Sequence, residues 1–226
     1  KSGIDWVETG SPYAVTPGRV RNQQGAPYRV FTPFSRAWRE HGWRGPAVEP
    51  KGLSLAEAPS DGDAWKQLDE AIAVEGLPEL PEAGERAALA RWHELVENGL
   101  KGYSGNRDRP DLDGTSRLSP YLMFGVLHPR TLLADLAGRH ARGADRYGTE
   151  LAWREFYADV LHHNPDSLWH DLRDSLAGMP YDDDAKLIEA WRQGRTGYPV
   201  VDAGMRQLLA IGWMHNRVRM ITASFL

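Results

Sequence analysis

The chain has 226 residues and a net charge of −4, with 31 Asp and Glu against 27 Lys and Arg, and 41% of its residues are hydrophobic. That is the balance of a globular chain long enough to bury a core. Having no cysteine, it excludes disulfides, thiolate zinc ligands and a cysteine nucleophile. No apolar run approaches the ~18 residues of a membrane span, and no stretch has the order of a signal peptide, so a cytoplasmic protein with no membrane partner is expected. Mild acidity argues against a general polyanion binder and restricts any nucleic-acid site to a local basic patch.

Residues 1–50 read as irregular, with turn signals at Gly10-Ser11-Pro12, Thr16-Pro17-Gly18, Gly25-Ala26-Pro27 and Gly45-Pro46. Between them, Tyr28–Phe34 predicts a short strand from Tyr28, Val30 and Phe31, ended by Pro33. Ser35–Trp43 predicts a helical turn or two. Residues 44–80 read as a linker containing a possible helix at Asp63–Val74. From Pro81 the spacing turns helical: Ala88, Trp92, Leu95, Val96 and Gly99 share a face. A break follows over 102–115. Short helices then begin near Pro120 and Pro129, where the missing N–H does no harm. Glu150–His162 predicts an amphipathic helix with Trp153, Phe156, Tyr157, Val160 and Leu161 as its apolar stripe. Helices are also expected at Ala185–Arg192 and Pro199–Leu209. The last residues are apolar and lack a stop signal, so the chain is expected to be cut in mid-domain.

Three segments carry residues suited to chemistry. In Asp113–Leu122, hydroxyls and free N–H groups before a helix make either a plain N-cap or an anion site suited to phosphate, with Arg117 adding charge. In Glu150–Tyr157, Glu150 and Trp153 lie three apart on one helical face. The pair is either a solvated acid beside a core aromatic or a carboxylate and indole that bond and stack a nucleobase, with Arg154 and Arg107 reaching phosphates. In Thr196–Met220, Arg206, His215, Arg217 and Arg219 interleave with Trp213, Met214 and Met220, as in an ordinary salt-bridged helix or a nucleotide groove. Asn216 and Met220 are i, i+4 neighbours. His162 and His163 suit a helix end, and no metal-ligand spacing is present. The run Asp182-Asp183-Asp184 suits a cap. No glycine-rich phosphate loop of the Walker or dinucleotide type occurs.

In this order, GTSRLSPYLMFG, ELAWREFY and WRQGRTGYPVVDAGMRQLLAIGWMHNRVRMITASFL resemble the DNA photolyase/cryptochrome family, in particular its bacterial cyclobutane pyrimidine dimer photolyases. YRVFTPFSRAW resembles the junction that ends the family's N-terminal α/β antenna domain. The resemblance implies a mainly α fold. Residues 1–43 would be a remnant of the α/β domain and its junction, 44–80 a linker, and 81–226 a helical FAD-binding and lesion-binding domain, incomplete at its C-terminus. By position, Tyr103, Thr115, Ser116, Arg117, Leu118 and Ser119 match the family's flavin-phosphate contacts, and Arg219 matches an arginine against the flavin. Glu150 and Trp153 match the residues that bond and stack the dimer, and Asn216 and Met220 match its other wall. Arg107, Arg154 and Arg217, with Tyr157, match positions near DNA or cofactor phosphate.

The implied partner is DNA containing pyrimidine dimers, and the implied chemistry is electron transfer from excited, reduced FAD to a flipped-out lesion, acting as a monomer. Glu150 would stabilise the dimer radical anion by donating a hydrogen bond, which requires a protonated carboxyl raised by burial. Asparagine and methionine at 216 and 220 favour the cyclobutane over the six-four lesion. A second antenna chromophore is expected only in the full-length protein, and this chain alone is expected to hold flavin weakly. Tyr181 stands where the family has the outermost tryptophan of its electron-transfer chain, and tyrosine is harder to oxidise unless it also loses its proton. The alternatives are a cryptochrome-like light receptor without repair activity, or a piece that retains no flavin.

Overall fold

A computed structural model describes residues 10–48, 50–52, 54, 62–72, 80–173, 175, 178–180 and 182–226. Its regular elements are α1 (Phe31–His41), α2 (Gly62–Ile72), α3 (Glu85–Glu94), α4 (Tyr103–Asn106), α5 (Ser119–Met123), α6 (Pro129–Leu136), α7 (Arg142–His163), α8 (Ala185–Arg192), α9 (Pro199–Ile211) and α10 (Asn216–Phe225). Among the described residues no strand forms, and the only strand-like pairing is an isolated bridge between Arg21 and Pro27. The chain divides into two compact units, Lys1–Pro46 with Ala83–Asp182, and Ala47–Glu82 with Asp183–Leu226.

The strand expected at Tyr28–Phe34 is replaced by α1, which begins at Phe31. Pro33 falls in the first turn, where a backbone N–H has no helical partner to lose. Phe34 and Trp38, spaced i, i+4, are buried, and this burial outweighs the strand preference of Tyr28, Val30 and Phe31.

In the first unit α1, α4 and α6 pack on α7, which starts eight residues earlier than its apolar pattern suggests. Its N-terminal turn passes so close to Leu100 that a Cβ at Gly143 would lie 1.7 Å from the Leu100 carbonyl oxygen, so only glycine fits there. The buried face of α7 only partly matches the predicted stripe, since Phe156 is buried and Trp153 and Val160 pack against the core. It runs through Tyr147, Leu151, Ala152, Glu155, Phe156 and Asp159, while Tyr157 and Leu161 are exposed.

Two carboxylates sit on that face with partners from segment 11–20 and α1. Glu155 accepts hydrogen bonds from the amides of Ala14 and Val15 and from the Trp38 indole N–H, and Asp159 accepts from the Gly18 amide at 2.6 Å. The bonds are reciprocated from the helices. Arg130 donates twice to the Ala14 carbonyl, and Arg154 donates to the carbonyl of Pro12. An irregular segment is thereby held without strand pairing. Helix α3 runs into a π-helical turn at Leu95–Gly99. Trp38, Trp92, Phe34, Leu118, Leu127 and Leu132 are the largest fully buried apolar groups of this unit.

The second unit has its own small core of Val201, Met205, Met214 and Val218, with Trp191 and Leu208 against it. Helices α9 and α10 meet at Gly204, where a Cβ would lie 2.3 Å from Val218 Cγ1. Trp191 ties α8 to α10 by donating to the Thr222 carbonyl at 3.0 Å. Asp202, buried in the first turn of α9, accepts from the Thr196 amide and hydroxyl, both at 2.7 Å, and from the Gly197 amide. These bonds hold its carboxyl below the usual range. No described helix is long and apolar enough to cross a membrane.

Candidate functional site

The hydroxyl-rich turn is built by its neighbours, not by the short helix it precedes. The N-cap residue of α5, Leu118, makes no side-chain cap, but its amide donates to the Ser116 hydroxyl at 3.4 Å. The Ser116 hydroxyl also bonds the Tyr147 hydroxyl at 2.8 Å, and its carbonyl accepts from Arg91. Arg117 has a positive φ of 52°, the only such non-glycine residue among those described, and its Nε pairs with Asp113 at 2.9 Å. Leu118 is buried beneath the turn, whereas Thr115 is half-buried and Ser119 exposed.

Tyr147 joins this turn to the centre of α7. Its ring lies 5.1 Å from that of Tyr103 and 5.0 Å from that of Trp92. Burial, with smaller effects of neighbouring Tyr103 and Glu150, drives its phenol far above the ordinary range. Tyr103 is pushed up to about 12, first by burial and then by the Glu150 charge, against the opposing pull of Arg107. Glu150 itself is only 25% exposed and is clasped by two guanidiniums, Arg107 Nη2 at 3.2 Å and Arg146 Nε at 3.3 Å. Arg107 is 8% exposed and also pairs with Asp108. It faces inward onto Glu150.

One turn further along, Trp153 stacks on Phe31 with ring centroids 3.6 Å apart and planes 6° from parallel. Tyr157 lies at 5.6 Å and 23° and is 63% exposed. Glu150 and Trp153 therefore share a face, as their spacing predicts. Arg154 is turned elsewhere, donating to the carbonyls of Leu122 and Pro12 and lying 4.4 Å over the Tyr13 ring. Burial lowers its pKa. The first unit thus gathers Tyr103, Arg107, Ser116 and Glu150 around Tyr147, with Trp153 and Tyr157 beyond.

In the second unit, buried His215 caps α10, its Nδ1 accepting from the Arg217 amide at 3.1 Å. Asn216 and Met220 stand one turn apart on this helix, both exposed, and Met220 is 55% exposed. Arg219 is exposed and Arg217 half-buried. Tyr181 lies outside the described residues. Among the described residues no three His, Asp or Glu side chains gather as a metal site. Sequence reasoning missed Arg146, Tyr147 and Phe31. The i, i+4 spacing of Arg146 and Glu150 was the one available signal. Phe31 had none, because its contact with Trp153 is long-range.

The family description "FAD binding domain of DNA photolyase" matches residues 147–226. A deoxyribodipyrimidine photo-lyase of Alkalihalophilus pseudofirmus is 37% identical over the whole of this chain, which covers 48% of that protein. One of Thermus thermophilus is 41% identical over 88% of this chain and 44% of its own length. The chain therefore spans about half the length of the curated relatives it matches. Among solved structures, a bacterial class III photolyase from Agrobacterium tumefaciens superposes with a TM-score of 0.75 at 36% identity, over 95% of this chain and 46% of the other. A Synechocystis cryptochrome gives 0.72 at 25% identity, over 95% and 47%.

Proposed function

We propose, for a chain that belongs to the DNA photolyase/cryptochrome family, light-driven DNA repair: the splitting of cyclobutane pyrimidine dimers with FAD as the bound chromophore. The donor set in the first unit fits a flavin phosphate, since Thr115, Ser116 and Ser119 supply hydroxyls and Arg117 a guanidinium within five residues. Tyr103 belongs with this first-unit set, and in the second unit Arg219 is a separate candidate for contact with the flavin. When bound, the flavin supplies light absorption and the transferable electron.

The chain's own residues select and hold the lesion. Trp153 offers an indole face to an unstacked pyrimidine. Glu150 meets the polar edge of that base. In the second unit Asn216 and Met220 offer an amide and a thioether and Arg217 a cation for DNA, and in the first Tyr157 is an exposed aromatic beside Trp153. Arg107 serves chiefly to hold Glu150 in place. Residues 81–226 are taken as the flavin- and lesion-binding part.

The observation that carries this reading is the pairing of an arginine-clasped carboxylate with a half-exposed, parallel-stacked indole on one helix face. Its test is Trp153→Ala in the full chain, measured for flavin content, for affinity toward duplexes with and without a thymine dimer, and for light-dependent repair. Loss of one base–aromatic stack, worth about 1–3 kcal/mol, lowers dimer affinity roughly 5- to 150-fold, with flavin content and undamaged-DNA affinity unchanged. Full repair by the variant would remove Trp153 from the site. A light receptor without repair would show flavin but no preference for the dimer in either protein.

A further inference from the structure

We infer that Phe31 is a positioning residue for the lesion-stacking indole, an inference that rests on the role proposed for Trp153. The Phe31 ring lies parallel to Trp153 at a centroid distance of 3.6 Å, the separation of a filled contact, so one indole face is fully taken by protein. Phe156 stands edge-on to both rings, at 5.9 Å and 73° from Phe31 and 5.8 Å and 78° from Trp153. The indole is gripped on a face and an edge, and rotation of its side chain would break both contacts.

Phe31 is itself immobilised. It is the first residue of α1, whose Phe34 and Trp38 are buried, and Phe34 packs 5.2 Å from Phe156. Trp153 is half-buried, with Phe31 on one face and Tyr157 near-parallel at 5.6 Å and 23°, so its indole is held in a single orientation. An arriving pyrimidine then stacks without first ordering the indole, which lowers the entropic cost of binding.

The experiment compares Phe31→Ala, Phe31→Leu and Phe31→Tyr with the parent and with Trp153→Ala. The full chain is titrated with a thymine-dimer duplex and its undamaged twin, and flavin content is read alongside. Phe31→Ala and Phe31→Leu should weaken dimer binding about three- to tenfold, leaving undamaged-DNA affinity and flavin content alone. Phe31→Tyr should bind as the parent does. Leucine keeps apolar bulk but no ring, so a folded Phe31→Leu protein that binds the dimer at parental affinity overturns the inference. Tighter binding by either ringless variant also overturns it, since Phe31 would then obstruct the face it is held to support. If Trp153→Ala loses dimer affinity while the Phe31 variants do not, only the positioning role fails. If Trp153→Ala itself retains dimer affinity, the underlying reading fails with it.

Discussion

Replacing Glu155 with alanine tests how the irregular N-terminal segment is held. The side chain is 3% exposed and is the acceptor for three N–H groups, those of Ala14, Val15 and the Trp38 indole. A buried donor left without an acceptor costs about 1–3 kcal/mol. Ala14 and Val15 line a cleft of about 340 Å³ together with Thr16, Arg19 and Arg130, so water can serve their amides in the variant. Fully buried Trp38 has no such recourse. The expected loss is therefore about 4 kcal/mol, below the sum of three full penalties, or roughly 8–16 °C in the melting temperature of a chain this size. Thermal melting by circular dichroism measures it, and faster tryptic cleavage after Arg19 and Arg21 reports local release of the segment. A shift under about 3 °C with unchanged cleavage would refute the reasoning. Glu155→Gln keeps one acceptor oxygen and should cost less. The pH dependence has a definite sign. Burial pushes the Glu155 carboxyl above its ordinary 4.5, outweighing the three N–H donors. The folded chain then holds a proton that the unfolded chain has lost. The group's contribution is complete below pH 4.5 and drains as pH rises through the raised pKa. The stability gap between the parent and Glu155→Gln should accordingly narrow with rising pH.

Asp202 has the opposite sign. Its folded pKa is lowered, chiefly by the Thr196 hydroxyl, so its contribution is present above pH 3.8 and disappears as pH falls through the lowered value. Acid should loosen the 196–202 turn in the parent but not further in Asp202→Asn, as read by hydrogen exchange of the Thr196 and Gly197 amides. At the α9–α10 crossing, Gly204→Ala drives a Cβ into Val218 and should cost about 1–3 kcal/mol. Val218→Ala in the same chain should recover much of that loss in urea titration, and strict additivity of the two changes would count against a direct clash.

Those elements whose local signals agreed with their packing were legible in the sequence. Pro129 and Pro199 open α6 and α9 where proline is tolerated, and Ala185–Arg192 is α8 to the residue. Two misreadings share one cause. Tyr28–Phe34 has strand-forming residues, yet the burial of Phe34 and Trp38 against α7 decides for helix. The predicted stripe of α7 captures Phe156, Trp153 and Val160, but it takes in exposed Tyr157 and Leu161 and omits Glu155 and Asp159, which are polar by composition yet buried with partners supplied from far upstream. The spacing of Glu150 and Trp153 gave their shared face, and the GTSRLS stretch marked the turn. The partners that give these groups their character, Arg107 and Phe31, come from other elements, where periodicity carries no information.

The surroundings of Glu150 are not an apolar pocket. A guanidinium nitrogen lies within 3.3 Å of each of its oxygens, so both oxygens face donors. Under the proposed function, any electrostatic effect on a bound pyrimidine would come from this cluster of Glu150, Arg107 and Arg146, in which Glu150 fixes where the buried Arg107 guanidinium stands.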